Sequence, residues 1–98
     1  MFKPLDPLLK AELRLAVMSL LIGLESAEFV YLQQETGATP GNLSVQLKKL
    51  EKAGYIEIRK SFKKNYPQTT CKITPKGIKA FEDHVEALKS YMNHNKKG

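Results

Sequence analysis

The stretch from Thr39 to Gly54, TPGNLSVQLKKLEKAG, predicts a helix with both ends marked. Thr39 can accept hydrogen bonds from the first free N–H groups, and Pro40 falls at the first helical position, where a missing N–H costs nothing. Gly54 lies where a left-handed residue would end the helix. The large apolar residues recur at helical spacing on one narrow face: Leu43, Leu47 and Leu50. We therefore expect a helix that is buried along a single seam.

The remaining faces of this helix carry small, polar and basic side chains. They are Gly41, Asn42, Ser44, Val45, Lys48, Lys49 and Lys52, with Gln46 nearer to the buried side. This helix is anchored by one apolar face, and it carries small and polar residues near its N-terminus and lysines further along. Such a helix suits insertion into the major groove of DNA. We interpret it as a recognition helix.

The basic residues of the chain are concentrated in this helix and in the segment after it. The net charge is +6 over 98 residues. Residues 1–44 hold three basic and five acidic side chains, residues 45–72 hold eight and two, and residues 73–98 hold five and three. A local excess of this kind is expected of a phosphate-binding surface, although an ordinary solvated basic face is the alternative.

Length and composition restrict the class of protein. A chain of 98 residues predicts one domain, 1–98, and 42% hydrophobic with 27% charged residues is ordinary for a folded protein. The longest uncharged run, residues 15–24, is too short for a membrane helix, and the start MFKPLDP lacks a signal-peptide pattern. The single cysteine, Cys71, excludes an internal disulfide framework. We therefore expect a cytoplasmic protein that does not bind membranes.

Residues 6–24 predict a long first helix that begins with a cap and a first-turn proline at Asp6-Pro7. Its apolar residues recur every three or four positions: Leu9, Leu13, Ala16, Val17, Leu20, Leu21 and Leu24. A second apolar set lies on another side: Leu15, Met18 and Ile22. Both apolar faces of such a helix must be removed from water. The domain core would bury one face, and a partner subunit could bury the other. Gly23 either ends the helix or lets a neighbour approach.

Residues 27–36 predict a short second helix with Ser26 as its cap, after a brief connection. Phe29 and Leu32 face inward in this helix, and Gly37 ends it. Only two residues separate Gly37 from the recognition helix. Two helices joined by a tight glycine-containing turn form a helix-turn-helix unit, here residues 27–54.

After Gly54 the apolar period changes from 3.6 to 2, which predicts a β-hairpin over residues 55–73. The inward positions of its two strands are Ile56, Ile58, Lys60, Phe62, Cys71 and Ile73. Residues 63–68 are expected to form the turn, because Pro67 cannot occupy a central strand position. The basic loop with aromatic residues is typical of a wing that lies along a phosphate backbone or in a minor groove.

Thr74-Pro75 repeats the cap-and-proline start and predicts a last helix over residues 75–92. Gly77 leaves room for this helix to pack closely on the hairpin. Its apolar residues are spaced alternately by three and four: Ile78, Phe81, Val85, Leu88 and Met92. This seam either packs on the domain's own core or forms a dimer. Residues 93–98 predict a frayed polar tail.

This order of elements is that of a winged-helix domain, a mainly helical α+β fold with a small β-hairpin and long first and last helices. The runs GATPGNLSVQLKKLEKAGYIEIRKSF and ITPKGIKAF resemble the small MarR-like winged-helix transcriptional regulators. The positions that match the family pattern are Gly37, Leu43, Ser44, Leu47, Leu50, Gly54, Tyr55, Ile56, Ile73, Thr74 and Gly77. The resemblance covers residues 5–90.

The resemblance implies a homodimer that binds double-stranded DNA at a pseudo-palindromic operator, usually as a repressor. It also implies that the first and last helices build the dimer. The candidate interface residues are Leu15, Met18, Ile22, Val85, Leu88 and Met92. Many relatives carry Arg or His where this chain has Val45 and Gln46, so this recognition helix has fewer strong readers of guanine.

Candidate DNA contacts lie on the recognition helix and on the hairpin. Asn42 and Ser44 suit phosphates or base edges, Gln46 suits adenine or only lines the buried side, and Val45 suits a thymine methyl group. The recognition-helix set is Thr39, Pro40, Gly41, Asn42, Ser44, Val45, Gln46, Lys48 and Lys49. The hairpin set is Arg59, Lys60, Lys63, Lys64, Asn65, Tyr66 and Gln68, of which Arg59 or Tyr66 suits the minor groove.

We expect no metal, no cofactor and no catalysis. Cys71, His84 and His94 lack the spacing of metal ligands, and we expect Cys71 to be buried and His84 to face solvent. The leading hypothesis is a homodimeric, sequence-specific DNA-binding regulator. The alternative is a protein-interaction module with the same fold inside a larger complex. An unknown small-molecule effector between the first and last helices is compatible with the leading hypothesis, but no polar cluster marks a site for it.

Overall fold

The computed structural model of the chain describes residues 1–93. Its elements are α1 (Glu12–Leu24), β1 (Ser26–Glu28), α2 (Phe29–Thr36), α3 (Pro40–Lys52), β2 (Ile56–Lys63), β3 (Tyr66–Ile73) and α4 (Pro75–Asn93). The strands form one antiparallel sheet in the order β1-β3-β2. This is the predicted winged-helix fold, mainly helical with a small β-sheet. Most of the predicted tail, including His94, lies outside the described residues.

The recognition helix α3 has the ends that its sequence predicts. The Thr39 hydroxyl accepts a hydrogen bond from the Asn42 N–H at 3.2 Å, and Pro40 occupies the first turn. After the helix, Gly54 has a φ of +82°, a left-handed conformation that glycine adopts without strain. Leu43, Leu47 and Leu50 are buried, so a single seam anchors α3 to the core.

The first helix is shorter than predicted. Asp6 does cap a turn, because its carboxylate accepts from the Leu8 N–H at 2.8 Å and its carbonyl accepts from the N–H groups of Leu9 and Lys10 at 3.1 Å. This turn ends at once, since Ala11 is extended (φ −74°, ψ 127°), and α1 begins only at Glu12. Gly23 lies inside α1 and neither ends it nor admits a neighbour: no atom of residues 1–93 would lie within 4 Å of a Cβ there, apart from its immediate surroundings.

A third strand occupies the segment that was expected to be a connection and a helix cap. Ser26, Ala27 and Glu28 form β1 and pair with Lys72, Cys71 and Thr70 of β3. Ser26 is therefore not a helix cap, and α2 begins at Phe29 instead of residue 27. Leu32 is buried and Phe29 is half-buried, as predicted, whereas Val30 is exposed.

The hairpin turn is tighter than the predicted residues 63–68. Only Lys64 and Asn65 form it, both with positive φ (51° and 68°), the pairing that a two-residue hairpin turn requires. Pro67 lies in β3 opposite Phe62, beyond the part of β3 that pairs with β1. The proline is therefore accommodated where the strand has a neighbour on one side only.

The last helix packs closely against the start of the hairpin. Thr74 caps α4, because its hydroxyl accepts from the Gly77 N–H at 3.0 Å and donates to the Gly54 carbonyl at 2.6 Å. A Cβ at Gly77 would lie 2.1 Å from the carbonyl oxygen of Tyr55. The close packing predicted at Gly77 is therefore present.

The core lies between the helices and the inner face of the sheet. Its buried members are Leu9, Val17, Met18, Leu21, Leu32, Leu43, Leu47, Leu50, Ile56, Cys71 and Ile73. The prediction that Cys71 and Ile73 face inward is confirmed. Phe62, which was also expected to face inward, is 78% exposed, because the hairpin extends beyond the helices that would cover it.

A polar cluster joins the N-terminal segment to α4, and it contradicts the expectation that His84 faces solvent. His84 is 2% exposed, and its Nδ1 accepts a hydrogen bond from the Asp6 N–H at 3.1 Å. The Tyr55 hydroxyl donates to the Asp6 carboxylate at 2.6 Å. Burial and this contact with Asp6 raise the pKa of Tyr55 to about 12.

Candidate nucleic-acid interface

The outer face of α3 is open to solvent along its length. Gly41, Asn42, Ser44, Lys48, Lys49 and Lys52 are all exposed, and Val45 is 52% exposed although it is apolar. An apolar side chain held in water on a helix whose other side is buried suits contact with an apolar group such as a thymine methyl. The helix N-terminus, capped by Thr39 and followed by Pro40, presents the positive end of the helix dipole at the same place.

Gln46 is not free on this face. It is half-buried, its Oε1 accepts from the Arg14 guanidinium of α1, and its Nε2 donates to the Asn42 Oδ1 at 3.1 Å. The structure thus places Gln46 between the core and the exposed face, the position that the helical spacing indicated. Arg14 was not predictable as a contributor to this face, since its link to α3 spans 32 positions in the sequence.

The wing, which is the hairpin of β2 and β3, carries its cations in the open. Arg59, Lys60, Lys63 and Lys64 are all exposed. Arg59 lies 3.3 Å from Glu57 across a solvent-exposed ion pair, which contributes little stability and leaves the guanidinium available. Asn65 and Tyr66 are exposed and Gln68 is half-buried, so every predicted wing residue reaches the surface.

A groove between α3 and the wing brings the two predicted sets together. It has a volume of about 610 Å³, and its walls include Ser44 and Lys48 from α3 and Lys60 and Thr69 from the sheet. Lys60 lies on the same face of β2 as Ile56 and Ile58, because side chains alternate along a strand. This face turns toward α3, so Lys48 and Lys60 line one groove. Arg59 and Lys63 lie on the opposite face of β2.

The wing tip, residues 62–67, ends in exposed aromatic rings. Phe62 is 78% exposed and Tyr66 is 76% exposed. Phe62 lies opposite Pro67, and Lys63 lies opposite Tyr66. Alternation in the sequence predicted that Phe62 faces inward. The strands are long enough to extend past the core, and this length indicates that side chains near the turn are exposed. The tip therefore combines apolar rings with the cations of residues 63 and 64.

The candidate dimer residues fall into two groups. Met18 is wrong as an interface residue, because it is completely buried within its own chain and has no surface to offer a second subunit. Leu15, Ile22 and Val85 are half-buried, whereas Leu88 is 38% and Met92 58% exposed. The last turns of α4 therefore leave an apolar stripe uncovered.

The titratable groups of the described residues do not form a metal site. Residues 1–93 contain no group of three or more His, Cys, Asp or Glu side chains that could hold a metal ion. Cys71 is buried, and burial together with the charge of Glu51 raises the pKa of its thiol to about 11. A cavity of about 730 Å³ lies between the N-terminal segment and α4, lined by residues that include Pro4, Pro7 and His84. Asp6 and Pro7 of its lining belong to the segment that was expected to start the first helix, although α1 itself begins only at Glu12.

Comparisons with known proteins agree on the architecture. The family model of the winged helix DNA-binding domain matches residues 13–92. An uncharacterized protein of Methanocaldococcus jannaschii is 44% identical over 72 residues, which cover 74% of this chain and 78% of that protein. No helix within residues 1–93 is long and apolar enough to cross a membrane.

Two solved structures are similar to this chain over most of its length. The transcriptional regulator homologue from Pyrococcus horikoshii OT3 has a TM-score of 0.85 at 27% identity, over 92% of this chain and 89% of that chain. The transcriptional regulator BldR from Sulfolobus solfataricus has a TM-score of 0.71 at 23% identity, over 86% of this chain and 59% of that chain.

Proposed function

Because the chain belongs to the family of winged helix DNA-binding domains, we propose that it is a transcriptional regulator that binds specific sequences of double-stranded DNA as a homodimer. Its family and fold are those of DNA-binding regulators and not of enzymes. A role as a repressor and a cytoplasmic location are what the resemblance to MarR-like regulators implies.

The observation that carries the proposal is the exposed face of α3 beside a groove that shares cations with the wing. Side chains near the N-terminus of a recognition helix reach base edges in the major groove. Asn42, Ser44 and Val45 occupy that position and are exposed. Lys48 and Lys60 line the adjoining groove. Their charges suit contact with the DNA phosphates that lie next to the major groove. The wing tip then reaches the next minor groove.

The dimer is supported by the apolar stripe at the end of α4. Leu88 and Met92 remain exposed on a helix whose other side is buried through Ala87 and His84. A second copy packed there would remove these side chains from water. Two recognition helices related by the dimer axis should then lie about 34–36 Å apart, one turn of B-DNA.

DNA binding is tested by selecting bound duplexes from a random pool and titrating the selected sequence at several salt concentrations. We expect log K to fall linearly with log salt, with a slope of about −0.9 per phosphate contact. Replacing Lys48 and Lys49 together with Ala should reduce the slope by about 1.8 and weaken binding to all sequences. The control variant replaces Lys79 and Lys89 of α4, which changes the net charge equally away from this face.

The alternative, a protein-interaction module, gives a different outcome. The pool would then yield no preferred sequence, and the control variant would reduce binding as much as the α3 variant, as expected for generic attraction of a polyanion. For base reading, replacing Asn42 or Val45 should change the preferred sequence. Unchanged preferences in both variants would refute the assignment of these residues.

The dimer is tested by sedimentation equilibrium. Leu88→Glu combined with Met92→Glu should give a monomer, because buried charges would oppose the interface. Val30→Glu is the control for an introduced charge, since Val30 is 58% exposed on α2 and lies outside the stripe. A wild-type protein that is monomeric at micromolar concentration, or a double variant that stays dimeric, would contradict the proposed interface.

A further inference from the structure

A chain of hydrogen bonds runs from α1 to the exposed start of the recognition helix. The Arg14 Nε donates to the Leu8 carbonyl at 2.7 Å, and the guanidinium also donates to the Gln46 Oε1. Gln46 in turn donates through Nε2 to the Asn42 Oδ1 at 3.1 Å. Arg14 and Gln46 are half-buried, whereas Asn42 is exposed at the end of the chain.

The chemistry of Arg14 sets the direction of this chain. A guanidinium group has N–H donors and no acceptor, so Gln46 must present its oxygen to Arg14. The Gln46 amide nitrogen then points to Asn42, which must accept with its own oxygen. The reversed arrangement would place the Gln46 NH₂ against the donors of Arg14, and both would lose a hydrogen bond.

The direction of the chain determines what Asn42 offers to DNA. With its oxygen held by Gln46, Asn42 presents the two N–H donors of its amide to the solvent. In the major groove, guanine shows two acceptors, N7 and O6, whereas adenine shows the acceptor N7 and the donor N6–H₂. An unrestrained asparagine pairs with adenine through its oxygen and its nitrogen together. With its oxygen turned toward Gln46, Asn42 offers its N–H donors to a base more readily than an acceptor, and this favours guanine.

We propose that Arg14 is a positioning residue for base recognition, which holds Asn42 as a donor and thereby makes this protein prefer guanine over adenine at the position that Asn42 contacts. The inference rests on the proposed DNA-binding function and specifies which base the site takes. Arg14 is not among the ion pairs of residues 1–93, so its role within that part of the chain is to hold neutral acceptors. Its charge also lies near the DNA-binding face, which makes a direct phosphate contact the competing role.

The experiment measures two affinities for each protein, one for the selected duplex and one for the same duplex with G·C replaced by A·T at the Asn42 position. The position is found as the one whose preference changes in Asn42→Ala.

We expect the wild type to prefer guanine roughly ten-fold. In Arg14→Met and in Gln46→Met the preference should fall to within about two-fold, because the restraint on Asn42 is lost. Gln46→Met keeps the charge of Arg14 and its bond to Leu8, and therefore separates positioning from charge.

Two controls keep the result independent of stability and charge. The ratio of two affinities measured on one preparation does not depend on its folded fraction, so a merely structural role would leave the ratio unchanged. Lys10→Met removes one charge from an exposed residue in the turn before α1, and it should retain the full preference.

Three results would overturn the role of Arg14. They are a wild type that prefers adenine, a guanine preference that survives in both variants, and an unchanged ratio with a salt slope reduced by about 0.9 in Arg14→Met, which would identify a phosphate contact. If the wild type selects no sequence from the pool, the proposed function itself is refuted. That failure is therefore distinguishable from a failure of the inference about Arg14.

Discussion

We predict that Gly77→Ala destabilises the protein, whereas the same substitution at Gly23 stabilises it. Both glycines lie within helices, α4 and α1. A Cβ at Gly77 would lie 2.1 Å from the Tyr55 oxygen, 3.0 Å from the Tyr55 carbonyl carbon and 3.1 Å from the Ile73 Cγ1. At Gly23 no atom of the described chain would lie within 4 Å, apart from its immediate surroundings. The two positions differ sharply in the space around the added methyl group.

The expected magnitudes follow from this geometry. Relieving a 2.1 Å contact requires the start of α4 and the Tyr55 backbone to separate by about 1 Å. Overpacking of this kind costs ~1–3 kcal/mol, and weakening the hydrogen bond from the Thr74 N–H to the Tyr55 oxygen costs ~1 kcal/mol more. The better helix propensity of alanine offsets ~1 kcal/mol. The net loss is about 2 kcal/mol for Gly77→Ala, against a gain of about 0.5–1 kcal/mol for Gly23→Ala.

The assay is urea denaturation followed by circular dichroism at one fixed protein concentration, since dimerisation would make stability depend on concentration. A loss of 2 kcal/mol corresponds to a melting temperature lower by ~10 °C for a chain of this size. The reasoning is refuted if Gly77→Ala is as stable as the wild type, or if Gly23→Ala is as damaging as Gly77→Ala.

Three further predictions concern single side chains. Thr39→Ala should lower the free energy of unfolding by about 1 kcal/mol, because it removes the cap of α3, and Thr39→Ser should retain most of it; equal losses in urea denaturation would contradict the capping role. Phe62→Ser should leave stability within about 0.5 kcal/mol and weaken DNA binding in a fluorescence anisotropy titration, because the ring is 78% exposed at the wing tip; a large loss of stability would show that the ring is packed. The pKa values of Cys71 (9.0 raised to about 11) and Tyr55 (10.0 raised to about 12) make both groups harder to deprotonate in the folded chain. Their contributions to stability are therefore fully present below pH 9 and are lost as the pH rises to 12. Cys71→Ala should flatten the decline between pH 9 and 11, and Tyr55→Phe the decline between pH 10 and 12; unchanged profiles would contradict these shifts.

The parts of the fold that local chemistry determines were predictable from the sequence. Thr39, Pro40 and Gly54 mark the ends of α3, and the structure confirms the cap, the first-turn proline and the left-handed glycine. The resemblance to winged-helix transcriptional regulators is confirmed by the family match and by the similar transcriptional regulator homologue. Gly77 was predictable for the same reason, since a glycine in the first turn of a capped helix indicates close packing.

The parts that long-range contacts determine were not predictable. The strand Ser26–Glu28 is only three residues long and depends on pairing with β3, more than forty positions later. Asp6 caps a turn that does not continue, because Ala11 is extended, and the Asp6 backbone N–H is bonded to His84 of α4, 78 positions later. The same contact buries His84, which its acidic neighbours in the sequence had suggested was exposed.

The candidate site follows the same division. The exposed residues of α3 and the other cations of the wing were predictable, whereas Lys60, which alternation placed inward, is exposed. Arg14 was not predictable, since its bond to Gln46 joins two helices that are far apart in the sequence. Met18 was assigned to a dimer because a helix apolar on two sides has two covers, and both covers of this residue belong to its own chain.

The two strands of the wing are constrained by packing at their base and are free of it near the turn. At their base, Ile56, Cys71 and Ile73 are buried, and β1 supports β3 there. Between Thr70 and the turn, the strands form a two-stranded ribbon that β1 does not pair with, and its side chains are not part of the buried core. Mutations near the tip should therefore change the proposed DNA contact with little penalty to folding, whereas mutations at the base of the ribbon should cost stability.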